Sequence, residues 1–159
     1  MGKEIERKFL IKKMPDNIET YRYHIIEQGY LTTNPVIRVR RSDDEYYMTY
    51  KGKGLLEREE YNLPLTKEAY DSLIVKAEGN IIRKKRYLIP IEIPYNGVIT
   101  QYTVELDVFA PPFEPLVLAE VEFPSIDEAD AFELLSWFDK DVTGDVMYHN
   151  SNMSKRKFD

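Results

Sequence analysis

Residues 3–11, Lys3-Glu4-Ile5-Glu6-Arg7-Lys8-Phe9-Leu10-Ile11, set charge against hydrocarbon with a period of two. Successive side chains of a β-strand point to opposite faces, so Glu4, Glu6 and Lys8 share one face while Ile5, Phe9 and Ile11 share the other. The charged face of a single strand ordinarily meets water. Here, however, later segments repeat the same alternation. Charged faces that close on one another enclose a polar cavity, and few folds do that.

Following the chain, residues 12–20 contain Pro15 and read as a loop with room for one helical turn. Residues 23–31 have strand composition, with a kink or bulge at Gln28-Gly29. In 36–41, Arg38 and Arg40 alternate with Ile37 and Val39. Asp43-Asp44 turns into 45–51, where Tyr47, Thr49 and Lys51 share a side. In 57–63, Arg58 and Glu60 stand at spacing two, but Glu57 and Glu59 make the other face polar too, so parity leaves the inward side open. Thr66 suits the N-cap of a helix over 67–76. Residues 81–89 carry Arg83-Lys84-Lys85-Arg86, and periodicity does not say which two face in. Asn96-Gly97 signals a hairpin. It leads to 100–109, with Thr103, Glu105 and Asp107 on one face, and then to 116–123, with Leu118, Glu120 and Glu122 on one face. Ser125 caps an expected helix over 126–138, with Trp137 on its apolar stripe, and 142–159 reads as polar and partly helical.

Eight antiparallel strands with short turns and a few helices give an α+β, mostly β chain, most economically a closed barrel flanked by helices. The 159 residues suit one domain, 1–159. The apolar faces must then look outward, toward helices or a partner, and a homodimer is one way to cover them. The absence of cysteine excludes disulfides, thiolate metal sites and cysteine nucleophiles. A net charge of -6 gives no field that gathers nucleic acid or an anionic membrane, so an anion must be bound locally. No apolar run suggests a leader or a membrane span, and a cytoplasmic location is the expectation.

The period-two sets gather Glu4, Glu6, Glu60, Glu105, Asp107, Glu120 and Glu122 as acids. Lys8, Arg38, Arg40, Lys51, Arg58, Lys84 and Arg86 are the matching bases. Unpaired buried charges are too costly to be core packing, so such a cavity calls for a charged guest. Arginine forks and lysine point charges suit phosphate oxygens. Carboxylates beside a polyphosphate need a hard cation between them, and Mg²⁺ or Mn²⁺ fits. The joint reading is metal-dependent phosphoryl or nucleotidyl transfer. His24 and His149 have no partner pattern and read as surface or hydrogen-bonded residues.

The ordered series resembles the CYTH domain, or triphosphate tunnel metalloenzyme, family. Glu4-Ile5-Glu6-Arg7-Lys8 matches its ExExK signature. The likeness continues through Gln28-Gly29-Tyr30-Leu31, Arg38-Val39-Arg40, Tyr50-Lys51, Arg58 with Glu60, Lys84 with Arg86-Tyr87, Glu105-Leu106-Asp107-Val108-Phe109 and Ala119-Glu120-Val121-Glu122-Phe123. It ends in Asp141-Val142-Thr143-Gly144-Asp145 and Tyr148-His149-Asn150. Short single-domain bacterial members are the most similar. The resemblance implies an eight-stranded tunnel that hydrolyses a linear triphosphate with Mg²⁺ or Mn²⁺, a metal-activated water attacking the terminal phosphorus. It turns Lys84 and Arg86 inward and gives the metal side to Glu4, Glu6, Glu120 and Glu122. Lys8, Arg38, Arg40, Lys51, Arg58, Lys84 and Arg86 become the phosphate clamp, and Glu60, Glu105 and Asp107 the supporting wall. Asp145 falls in a C-terminal element that plugs one mouth, where Met147 replaces an Arg common in related chains. Class IV adenylate cyclase, thiamine triphosphatase and a noncatalytic polyphosphate-binding module are the alternative readings.

Overall fold

A computed structural model describes residues 2–158. Nine strands follow one another as β1 (Gly2–Ile11), β2 (Arg22–Thr33), β3 (Val36–Ser42), β4 (Glu45–Lys51), β5 (Glu57–Pro64), β6 (Glu78–Tyr95), β7 (Val98–Phe109), β8 (Val117–Glu122) and β9 (Phe138–Asp141). Helices α1 (Lys67–Ile74), α2 (Ile126–Ala131) and α3 (Asn150–Met153) are short. The sheet order is β5-β4-β3-β2-β6-β7-β8-β1-β9, and β1 also pairs with β5. Eight antiparallel strands therefore close into a barrel, and β9 is an extra strand on β1. In that ring β3 stands opposite β8, so these two strands carry facing walls.

Register settles the faces that parity left open. Arg58 lies across from Glu4, and Glu60 across from Lys51, which puts both on the inner face. Lys84 pairs with Ile26 and Arg86 with His24, while Arg83 and Lys85 point out to Glu27 and to the ring of Tyr23. The β6–β7 hairpin runs on to Tyr95, beyond the expected 81–89. Asn96 and Gly97 both adopt positive φ, 50° and 79°, the two-residue turn that matches strand twist.

The main apolar core lies outside the barrel. Ile5, Phe9, Val104, Leu106, Ala119 and Val121 are covered by α2 and the residues after it. Here the structure departs from the expected helix over 126–138, because α2 stops at Ala131 and β9 begins at Phe138. Two causes are visible. Arg7 Nη1 donates to the carbonyls of Ala129 (2.9 Å) and Phe132 (2.6 Å), taking helix-end acceptors. Phe132 and Phe138 are drawn onto Phe9, with ring centroids 5.8 and 4.6 Å away. Trp137 packs edge-on against Phe138 from irregular backbone, half-buried. Arg7, on the outward face of β1, is tied further to Asp141 at 2.6 Å.

A second core occupies one end of the interior. Tyr30, Ile82, Phe109 and Leu118, on the same strand faces as the charged positions, pack with Phe113, Val142 and Met153 of α3, and Leu10 joins them. The C-terminal segment thus fills that end. Gly79 permits this: its φ is +74°, and a Cβ there would run into the Ser154 carbonyl oxygen. Asn80 N donates to the same oxygen at 2.6 Å. On the adjacent strand Gly29 sits at a register shift in β2, where a Cβ would lie 2.7 Å from Ala77 Cβ, so glycine lets the chain after α1 lie against the barrel.

Candidate functional site: a charged barrel interior

The remaining interior is a cavity of about 730 Å³. All of Lys8, Arg38, Arg40, Lys51, Arg58, Lys84 and Arg86 line it, as do Glu4, Glu6, Glu60, Glu105, Glu120 and Glu122. Asp107 lies behind the lining, fully buried. Asp145 stands apart: its carboxylate accepts from Met147 N at 3.0 Å and caps the turn Val146–Tyr148.

The charges pair across adjacent strands and, in places, one strand further. Lys8 faces Glu120 at 3.3 Å and also donates to the Tyr148 carbonyl at 2.9 Å. Lys51 meets Glu4 at 3.0 Å and Glu60 at 3.6 Å, and Arg58 approaches Glu4 at 3.7 Å. Asp107 takes Arg86 through two bonds (2.7 and 2.9 Å) and Lys84 at 2.7 Å. Arg86 reaches on to Glu105 and Glu120.

Two sets are left over, on facing walls. Arg38 and Arg40 of β3 are 6% and 7% exposed and meet no carboxylate among the described residues. Arg38 donates to Thr49 at 3.1 Å and Arg40 to Gln28 at 2.8 Å, while Arg38 Nε is buried with no partner among the described residues. Burial and the adjacent Arg40 guanidinium lower the proton affinity of Arg38. Across the barrel, Glu6 of β1 and Glu122 of β8 lie directly opposite each other and meet no base among the described residues. Burial, then Glu120 and Glu4, push the Glu6 carboxyl up to about 8. Glu122 keeps an exposed side chain at the cavity mouth, and partial burial, then Glu4, Glu105 and Glu60, bring it to about 7. The paired groups behave oppositely. Burial pushes Glu4 up, but Lys51 and the bond to Glu60 outweigh it and bring the carboxyl to about 2. Glu120 is likewise held well below its usual range against its own burial by Lys8 and Arg86. Burial, helped by the neighbouring Arg86 and Arg40 cations and opposed by Asp107, lowers Lys84 to about 7. One wall is short of an anion and the other of a cation.

The donors on the acidic wall are all carboxylate oxygens, which suit a hard divalent ion. Among the described residues no three acidic or histidine side chains form a ready cage. His24 bonds Asp43 at 2.6 Å on the surface. His149 is half-buried, its proton affinity lowered by burial and by Lys8.

Gln28, Thr49, Asn62 and Asn150 belong to the site without having been singled out as its members. Thr49 shares the parity of Lys51, and Gln28 that of Tyr30, so both were within reach of strand alternation. Asn150 approaches from the far end of the chain, where no periodicity points.

The CYTH domain family model matches residues 2–138. An inorganic triphosphatase of Nitrosomonas europaea is 38% identical over 156 residues, 95% of this chain and 96% of that protein. An inorganic triphosphatase of Acetivibrio thermocellus is 35% identical, over 99% of this chain and 97% of that protein. A crystal structure of an inorganic triphosphatase superposes with a TM-score of 0.69 at 36% identity, covering 99% and 97% of the two chains.

Proposed function

This chain belongs to the CYTH domain family, and on that premise we propose that it hydrolyses a linear triphosphate, inorganic tripolyphosphate foremost, releasing orthophosphate with Mg²⁺ or Mn²⁺ as cofactor. The observation that carries the reading is the pair of unmatched walls. Arg38 and Arg40 are desolvated cations with no counter-ion, and Glu6 and Glu122 are carboxylates crowded by their own kind. A triphosphate with a divalent cation satisfies both at once, and either ion alone leaves one wall unbalanced. The names of both curated relatives support the same substrate class.

In this reading Glu6 and Glu122 would hold the metal, with Glu4 and Glu120, paired to Lys51 and Lys8, beside them. Such a cation would supply charge neutralisation on the phosphate oxygens and make a nearby water more acidic. Arg38 and Arg40 fix phosphate oxygens from the opposite wall, and Lys8, Lys51, Arg58, Lys84 and Arg86 surround the chain of phosphates. Water oxygen adds to the terminal phosphorus, the bridging P–O bond breaks, and orthophosphate and pyrophosphate result. Most of the catalytic work is then positioning and stabilisation of charge.

Product analysis with tripolyphosphate, ATP and thiamine triphosphate, each with Mg²⁺ and Mn²⁺, tests this. Orthophosphate should appear, fastest from tripolyphosphate. Cyclic AMP with pyrophosphate from ATP would make the chain a cyclase. A preference for thiamine triphosphate would make it a thiamine triphosphatase, and binding without turnover a phosphate-binding module.

Metal and protons should also compete for the same oxygens. Glu6 and Glu122 hold protons in the folded chain at pH values where the unfolded chain, near 4.5, has lost them. Their contribution to stability therefore falls as pH rises from about 4.5 to about 8. A bound divalent ion removes that penalty, so Mg²⁺ should raise the thermal midpoint more at about pH 9 than at about pH 6. Equal increments at both pH values would take Glu6 and Glu122 off the metal side.

A further inference from the structure

Two motifs that stand far apart in the chain meet on one atom. Oδ1 of Asn150, the first residue of α3, accepts from Lys84 Nζ at 3.0 Å and from Gln28 Nε2 at 3.1 Å. The Gln28 side chain has no exposure, and its Oε1 accepts from Arg40 Nε at 2.8 Å. Lysine and arginine only donate, so every bond in this run has a fixed direction. Gln28 must turn its oxygen to Arg40 and its nitrogen to Asn150, and Asn150 must present its oxygen to Lys84.

We propose that Asn150 is a positioning residue of the phosphate clamp, setting Lys84 directly and Arg40 through Gln28. The inference rests on the triphosphatase reading of the cavity. It makes the C-terminal segment a working part of the anion site as well as the filling of one barrel end. The donor count gives the reason. Of the three N–H donors on Lys84, Asp107 and Asn150 occupy two, which leaves one for a phosphate oxygen. Arg40 is held through Nε, and its two terminal nitrogens have no protein partner among the described residues. Both cations are thus fixed with their remaining donors unspent, and less side-chain freedom is lost when the anion arrives.

The test compares Asn150→Leu, which keeps the branched shape without the acceptor, with Asn150→Ala, which removes both. Each should raise the KM for tripolyphosphate about tenfold or more while kcat stays within about threefold. Asn150→Leu combined with Gln28→Leu should raise KM by less than the product of the two single changes, since both weaken the Arg40 arm of the relay. A wild-type KM in Asn150→Leu, or a lower kcat at unchanged KM from a smaller folded fraction, would overturn the proposal. So would single effects that multiply in the double variant. Should the wild-type chain fail to hydrolyse tripolyphosphate, the functional reading fails separately. The same variants are then compared by calorimetric titration with tripolyphosphate, where a tenfold weaker Kd supports the role of Asn150 and an unchanged Kd refutes it. A wild-type chain that does not bind tripolyphosphate at all refutes both.

Discussion

Lys8→Ala and Glu120→Gln should each lower tripolyphosphate turnover by about 10³-fold or more in chains that remain folded at the assay temperature. The two side chains form a buried cross-strand pair, and the charge that develops as the P–O bond breaks must be met by groups already in place. Both variants should remain folded, but Glu120→Gln leaves the buried Lys8 without a carboxylate and should lower the midpoint by several degrees. Without Lys8, Glu120 keeps Arg86 at 3.3 Å. Without the Glu120 charge, Lys8 keeps the Tyr148 carbonyl at 2.9 Å. Steady-state kinetics beside thermal melts separate the two effects. Activity that falls only in step with the folded fraction would assign both residues to folding, and unchanged activity would place the chemistry outside the cavity.

How far the site could be read in advance depends on how each residue reaches it. Alternation along one strand is local, so Glu4, Glu6 and Lys8, Arg38 and Arg40, Glu105 and Asp107, and Glu120 and Glu122 were legible as sets. Strands polar on both faces were not: Arg58 and Lys84 take their direction from pairing with Glu4 and Ile26, which is long-range information. Likeness to CYTH chains had already assigned Lys84 and Arg86 inward, and the register agrees. The apolar end of the interior had a signal in plain view. Leu118 shares the face of Glu120, and Leu10 that of Lys8, so the charged stripe changes character along two neighbouring strands. The helix expected over 126–138 followed a real apolar period. It lost to Arg7, which takes the carbonyls at the end of α2, and to the aromatic cluster around Phe9. Neither competitor is visible within the segment itself. The contacts of Asn150 lie beyond any local rule for the same reason.

Asp107→Asn should have the opposite profile, a large loss of stability. Asp107 is fully buried and takes both Lys84 and Arg86, and it is the only carboxylate that Lys84 meets among the described residues. A neutral amide removes the bidentate support of Arg86 and the one carboxylate of Lys84, which burial has already lowered to about 7 and which then gives up its proton near neutrality. Breaking a buried charge cluster by removing one partner costs about 3–5 kcal/mol. At about 2–4 °C per kcal/mol for a domain of this size, the midpoint should drop by roughly 6–20 °C near neutral pH. This does not require the trio to be net stabilising, because burying three charges is itself expensive and only their mutual pairing offsets it. The pH dependence distinguishes the electrostatic cause from altered packing. Lys84 and Arg86 hold the Asp107 carboxyl below its ordinary 3.8, against its burial. Its contribution is complete above that value and is lost as pH falls through the lower folded one. The gap between wild type and Asp107→Asn should therefore be wide near neutrality and close in acid, below about pH 4. A gap of constant width would mean that the substitution acts through shape. Replacing Lys84, Arg86 and Asp107 together by hydrocarbon side chains of similar volume should recover most of the stability and abolish triphosphate binding, because the charges are retained at a cost for the anion.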